Sequence, residues 1–117
     1  MKKYYVIGLL CFTFFLAACG VSEMVDGALG MKETIPQVAE SIQQKNQDSL
    51  KEATDQLQQQ YATFSEVVQA TAPDLHDTIT EQLSILQEIA TAQTFDELKA
   101  QIAEQALRAA LDDLISF

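Results

Sequence analysis

After residue 20, apolar side chains recur every three to four positions along nearly the whole chain, the spacing of one helix face and not the alternation of a strand. Val21, Met24, Val25, Ala28 and Leu29 share a face, with Glu23 and Asp26 opposite. Gly27 and Gly30 weaken this segment, which predicts a frayed helix packed against the domain that follows. Ile35, Val38, Ala39 and Ile42 predict a short first helix, with Thr34 and Gln37 spaced as a capping box and Pro36 tolerable in the first turn. Asn46-Gln47-Asp48 predicts the first break.

Ser49 and Glu52 repeat the capping-box spacing, and Leu50, Ala53, Leu57, Tyr61, Phe64, Val67 and Val68 then hold one face of a second helix. Thr71-Ala72-Pro73 ends it, because proline disfavours a helical conformation at Ala72 and suits the start of a new helix. The third helix is expected from about Pro73 to Ala92, burying Leu75, Ile79, Leu83, Leu86, Ile89 and Ala90. Thr94 and Glu97 supply a third capping box, with the last helix beginning at Phe95. Short connections make successive helices antiparallel neighbours. The fold class is all-α: a small antiparallel helical bundle of three to four helices.

The last helix is apolar around more than half its circumference, broader than the single stripe of a surface helix. It must bury two faces, either against two neighbours in its own bundle or against the bundle and a partner. Alanines at 100, 103, 106, 109 and 110 permit close approach of another helix. A compact monomer that buries both Leu98 and Leu107 is the expectation. If a partner binds instead, Leu98 belongs to the core and the side formed by Leu107, Leu111 and Leu114 is the surface offered.

The start of the chain has a different pattern. Lys2 and Lys3 precede an apolar run from Val6 to Phe15, and the small residues Ala17 and Ala18 lead into Cys19, the layout of a secretory signal. The stretch from residue 4 to residue 19 is short of the roughly 20 residues that span a bilayer as a helix. Leu16-Ala17-Ala18-Cys19 resembles the lipobox of bacterial lipoproteins. The resemblance implies a signal peptide over 1–18, cleavage between Ala18 and Cys19, and a diacylglycerol thioether on the Cys19 thiol. Residues 19–33 are then a lipidated cysteine with a juxtamembrane tether, and 34–117 the bundle domain. Two or three acyl chains hold a domain on a membrane far more firmly than one.

Charge sharpens this picture. The 117 residues carry 17 acidic and 7 basic side chains, a formal charge of -10, which excludes nucleic acid as a partner. Loss of the leader leaves five basic residues (Lys32, Lys45, Lys51, Lys99, Arg108) against all the acidic ones, a net charge of -12. Like-charge repulsion from an anionic membrane would push the domain off its surface. Cys11 leaves with the leader and lipid consumes Cys19, so no thiol remains for a disulfide or a nucleophile.

No constellation for catalysis or for a metal stands out. His76 is the only histidine; Asp74 and Asp77 beside it offer a weak metal set, and His76 at the edge of the Leu75-Ile79-Leu83 stripe is a boundary residue first. A haem axial pairing of His76 with Met24 or Met31 places the methionines in the tether. Glu81, Glu88, Asp112 and Asp113 fall on polar faces as solvated charges, although Asp112 and Asp113 oppose the macrodipole at a helix C-terminus, which raises the idea of a bound cation. Gln43-Gln44 and Gln58-Gln59-Gln60 are expected on polar helix surface, and Glu104 is expected at the surface.

The run Ala72-Pro73-Asp74-Leu75-His76-Asp77, in a short chain with a lipobox, is similar to a group of small uncharacterised lipoproteins of Gram-positive bacteria. That similarity implies export and helical architecture and no activity. Gly20, where an aspartate would mark inner-membrane retention in some bacteria, resembles outer-membrane sorting. The expected function is therefore that of a non-enzymatic envelope lipoprotein, lipid-anchored in the cell membrane or outer membrane on the extracytoplasmic side. It acts as an interaction or structural module on an unknown envelope protein, with no cofactor beyond the lipid. The alternative is a bundle that carries a small apolar or haem-like ligand.

Overall fold

The computed structural model describes the backbone of residues 2–117 and the side chains of residues 20–117. The side chains of the leader, those of Ala18 and Cys19 included, lie outside the described part. The described backbone forms five helices: α1 (Lys2–Gln43), α2 (Gln47–Ala62), α3 (Ser65–Thr71), α4 (Pro73–Thr91) and α5 (Glu97–Ile115).

The helix α1 does not restart at Thr34; it runs through Pro36 as one element. Its buried residues explain why. Met24, Ala28, Met31, Ile35, Val38 and Ile42 are spaced 4, 3, 4, 3 and 4 apart, a single unbroken seam, and each is at most 2% exposed. Proline removes one backbone donor from a helix interior. Burial along the whole seam outweighs that loss. Residues 20–33 are therefore part of the bundle and not a tether outside it, and the core begins at Met24, ten residues before the expected boundary at 34.

The expected second helix is two. Thr63 turns its hydroxyl onto the Gln60 carbonyl at 2.6 Å, and Phe64 leaves helical geometry at φ -133°. Phe64 nevertheless stays in the seam, 2% exposed, with Tyr61 and Val68 buried on either side. The seam therefore continues through a break in the backbone, which is why periodicity alone reads it as one helix. This split raises the helix count from the expected three or four to five.

The four long helices form a ring of neighbours. α1 packs on α2 and α5, and α4 packs on the same two, while neither diagonal pair comes within 8 Å between Cα atoms among the described residues. The short helix α3 fills the corner beside α4 and α1. Ile79, Leu83, Leu86 and Ile89 of α4 and Ala100, Ala103, Leu107, Ala110, Leu111 and Leu114 of α5 complete the core.

Helix ends are fixed by residues other than the capping boxes. Lys45 adopts φ 54°, in the left-handed region, and turns the chain into α2. Asn46 is the N-cap, its side chain accepting from the Ser49 N–H at 3.1 Å, and Asp96 caps α5 by accepting from the Lys99 N–H at 3.1 Å. Neither Ser49 nor Thr94 is a cap, and Thr34 lies inside a helix.

Two glutamines join helices. Gln60 accepts from the Thr34 hydroxyl at 3.1 Å and donates to the Gly30 carbonyl at 3.3 Å, pinning α2 to α1. Gln47 donates to the carbonyls of Ile89 and Ala92 at 3.1 and 2.8 Å, satisfying the C-terminal end of α4. Gln60 is thus an interhelical clasp and not plain polar surface.

Candidate functional site

A groove of about 590 Å³ lies between α2 and α4. Tyr61 and Leu83 are its apolar base, with Gln58, Ser84, Gln87 and Glu88 among the side chains of its walls. Opposite faces of two adjacent helices supply these groups: Gln58 and Tyr61 recur at a three-residue interval on α2, and Thr80, Ser84, Gln87 and Thr91 at three- and four-residue intervals on α4. The volume lies within the range of small-molecule sites, roughly 300–1,000 Å³.

His76 stands in this groove. Its Nδ1 is 2.6 Å from the Tyr61 hydroxyl, and the two rings lie 5.8 Å apart at 27°. The phenol donates to Nδ1 in the Nε2–H tautomer, and Nδ1–H donates to the phenol oxygen in the other. Tyr61 also meets Phe64 edge-to-face at 5.3 Å. Burial, and secondarily the negative charge of Asp77, pushes the Tyr61 pKa up to about 12, so the phenol stays protonated at neutral pH. His76 is therefore a boundary residue with one ring nitrogen engaged. Among the described residues no group of three or more His, Cys, Asp or Glu side chains is placed to hold a metal ion.

Met24 and Met31 are fully buried in α1, in the core and not in a tether, whereas His76 lines the groove between α2 and α4. Asp112 pairs with Lys32 of α1 at 2.5 Å, so a lysine from a neighbouring helix answers the unfavourable charge at the end of α5. Glu104 is only 5% exposed and pairs with Arg108 one turn along, which removes it from the free surface.

The arc on α5 is divided the other way round from the partner-surface expectation. Leu107, Leu111 and Leu114 are fully buried, whereas Leu98 and Ile102 are 68% and 59% exposed. The cause lies in the length of each stripe. Positions 100, 103, 107, 110 or 111, and 114 stay apolar for the whole helix, but 98 and 102 are followed by Gln105 and Asp113 on their side. A bundle buries the stripe that continues. Leu107, Leu111 and Leu114 are core, and the apolar surface of α5 is the Leu98–Ile102 turn.

The groove left little trace in the sequence. Its polar residues look like ordinary exposed positions, and only the lone histidine near an apolar stripe gave a signal. Among the described residues no helix is long and apolar enough to cross a membrane. No protein-family model matches the chain, nor does any curated protein or any solved structure.

Proposed function

We propose that this chain is a lipid-anchored envelope protein, held through Cys19 on the extracytoplasmic face of the cell membrane or outer membrane, and that its bundle works as a non-enzymatic interaction module. The observation that carries the anchor is Leu16-Ala17-Ala18-Cys19 at the end of an apolar run opened by Lys2 and Lys3. The placement of the core supports its geometry. Met24 is five residues after Cys19 on a continuous helix, about 7.5 Å along the axis, comparable to one Debye length in physiological salt. The acidic bundle would be held at the membrane surface, not suspended on a flexible tether.

The pairs Lys45–Glu97 and Lys32–Asp112 join late α1 to early α5 and earlier α1 to late α5, and support an up-and-down, antiparallel course for the ring of long helices. The exposed Leu98–Ile102 turn is the apolar surface such a module would offer to a protein partner, and the buried seam on each helix favours a monomer. Cys19→Ser tests the reading directly. The variant should accumulate uncleaved and take up no labelled fatty acid in cells; incorporation at the wild-type level would overturn the anchor.

A second reading, a small-ligand carrier, is favoured by the groove between α2 and α4. The two readings part on whether occupation of the groove or substitution at Leu98 and Ile102 alters behaviour in the envelope.

A further inference from the structure

We infer that the groove between α2 and α4 takes a small aromatic cation, an amine carried on an apolar ring body. The inference rests on the carrier reading of the groove and supplies its ligand class.

The lining combines an apolar base with a polar rim of amides, hydroxyls, one imidazole and one carboxylate. Thr80 donates its hydroxyl proton to the His76 carbonyl at 2.8 Å, and Thr91 donates to the carbonyls of Gln87 and Glu88 at 2.9 and 3.3 Å. Both hydroxyls are thereby left as acceptors. Glu88 is the one carboxylate in the lining, and no lysine or arginine lines the groove.

An anion would meet the Glu88 carboxylate and a strongly acidic domain, with no lysine or arginine in the lining to counter it. An uncharged apolar molecule would fill the base but leave the Glu88 carboxylate without a counter-charge. An ammonium on an aromatic body answers both: its ring lies over Leu83 and beside Tyr61, and its N–H groups are offered to Glu88 and to the Thr80 and Thr91 hydroxyl oxygens. Haem, which carries two carboxylates, fits this lining poorly.

The test is calorimetric titration of the full chain in zwitterionic nanodiscs at 0.15 M salt, with empty nanodiscs subtracted. The probes are tryptamine, indole and indole-3-acetate, which share a ring and differ in charge. Tryptamine should bind at least tenfold more tightly than indole-3-acetate and measurably more tightly than indole. Ser84→Trp adds a ring at an exposed wall position and should weaken tryptamine at least tenfold with unchanged helicity. Glu88→Gln should close the gap between tryptamine and indole, which separates the local carboxylate from the general acidity of the domain. Equal binding of all three probes, suppressed by Ser84→Trp, would overturn the cation assignment and leave the carrier reading standing. No binding of any probe, or binding indifferent to Ser84→Trp, would overturn both.

Discussion

The ring of Phe64 fills the space that a side chain at Gly27 would need: a Cβ built there would overlap Cγ, Cδ1 and Cε1 of the ring. Phe64 is 2% exposed, so the ring has little room to retreat. The contact falls at the break between α2 and α3, where the chain leaves helical geometry at Phe64 while the ring remains in the seam.

Gly27→Ala and Gly30→Ala should therefore act in opposite directions. Both glycines sit inside α1, where alanine is favoured by up to about 1 kcal/mol on helix propensity alone. A Cβ at Gly30 meets nothing within 4 Å, so Gly30→Ala should raise stability by roughly 0.5–1 kcal/mol. At Gly27 overpacking costs about 1–3 kcal/mol and outweighs the propensity gain. Urea denaturation midpoints of the two variants should fall on either side of the wild type, and a stabilised Gly27→Ala would remove the close approach from the account.

The helix starts give a second contrast. Asp96→Ala removes the acceptor for the Lys99 N–H and should cost about 0.5–2 kcal/mol. Thr94→Ala lies outside the helix and should fall within about 0.5 kcal/mol of wild type. Thermal unfolding monitored at 222 nm distinguishes them, since only Asp96→Ala should shift the midpoint.

These starts also show what was legible in the sequence. The all-helical class, the break at Asn46 and the proline start of α4 follow from local chemistry and were readable. The caps were misread because Thr94-x-x-Glu97 and Ser49-x-x-Glu52 match the capping-box pattern as well as the real caps match theirs. Pattern cannot rank them without knowing where the turn closes. The continuity of α1 through Pro36 is hidden in the sequence because the two glycines and the proline read as breaks, while Met31, buried at the centre of the seam, joins its two halves. In the groove, the Tyr61–His76 bond links residues fifteen apart on two helices, and only the packing of α2 on α4 reveals it.

Tyr61 gives the domain an alkaline limit. Its pKa is about 12 in the fold against 10.0 when free, so between pH 10 and 12 the unfolded chain loses a proton that the folded chain keeps. Stability contributed by the neutral phenol is present below pH 10 and is lost as pH rises from 10 towards 12. Tyr61 is the only tyrosine in residues 20–117, so the 295 nm absorbance of that fragment reports it alone. The ionisation midpoint should lie above 11 in the folded fragment and near 10 in denaturant. Tyr61→Phe should flatten the fall of the urea midpoint between pH 9 and 11; the same fall in both proteins would assign the effect to other groups.

The two sides of α5 offer the sharpest energetic test. A leucine truncated in a packed core loses transfer free energy and leaves a cavity, about 2–5 kcal/mol, a large share of the roughly 5–15 kcal/mol that holds a small domain together. Leu107 is fully buried and Leu98 is 68% exposed, so the two substitutions should differ although both remove the same atoms from the same helix. Leu107→Ala should lower the denaturation midpoint strongly, while Leu98→Ala in a dilute sample should stay within about 0.5 kcal/mol of wild type. Concentration separates a partner from a core. If Leu98 and Ile102 serve an interface between copies, Leu98→Ala becomes destabilising only as protein concentration rises, whereas the cost of Leu107→Ala is independent of it. Equal losses for both variants at high dilution would place Leu98 in the core after all and remove the Leu98–Ile102 turn as a docking surface.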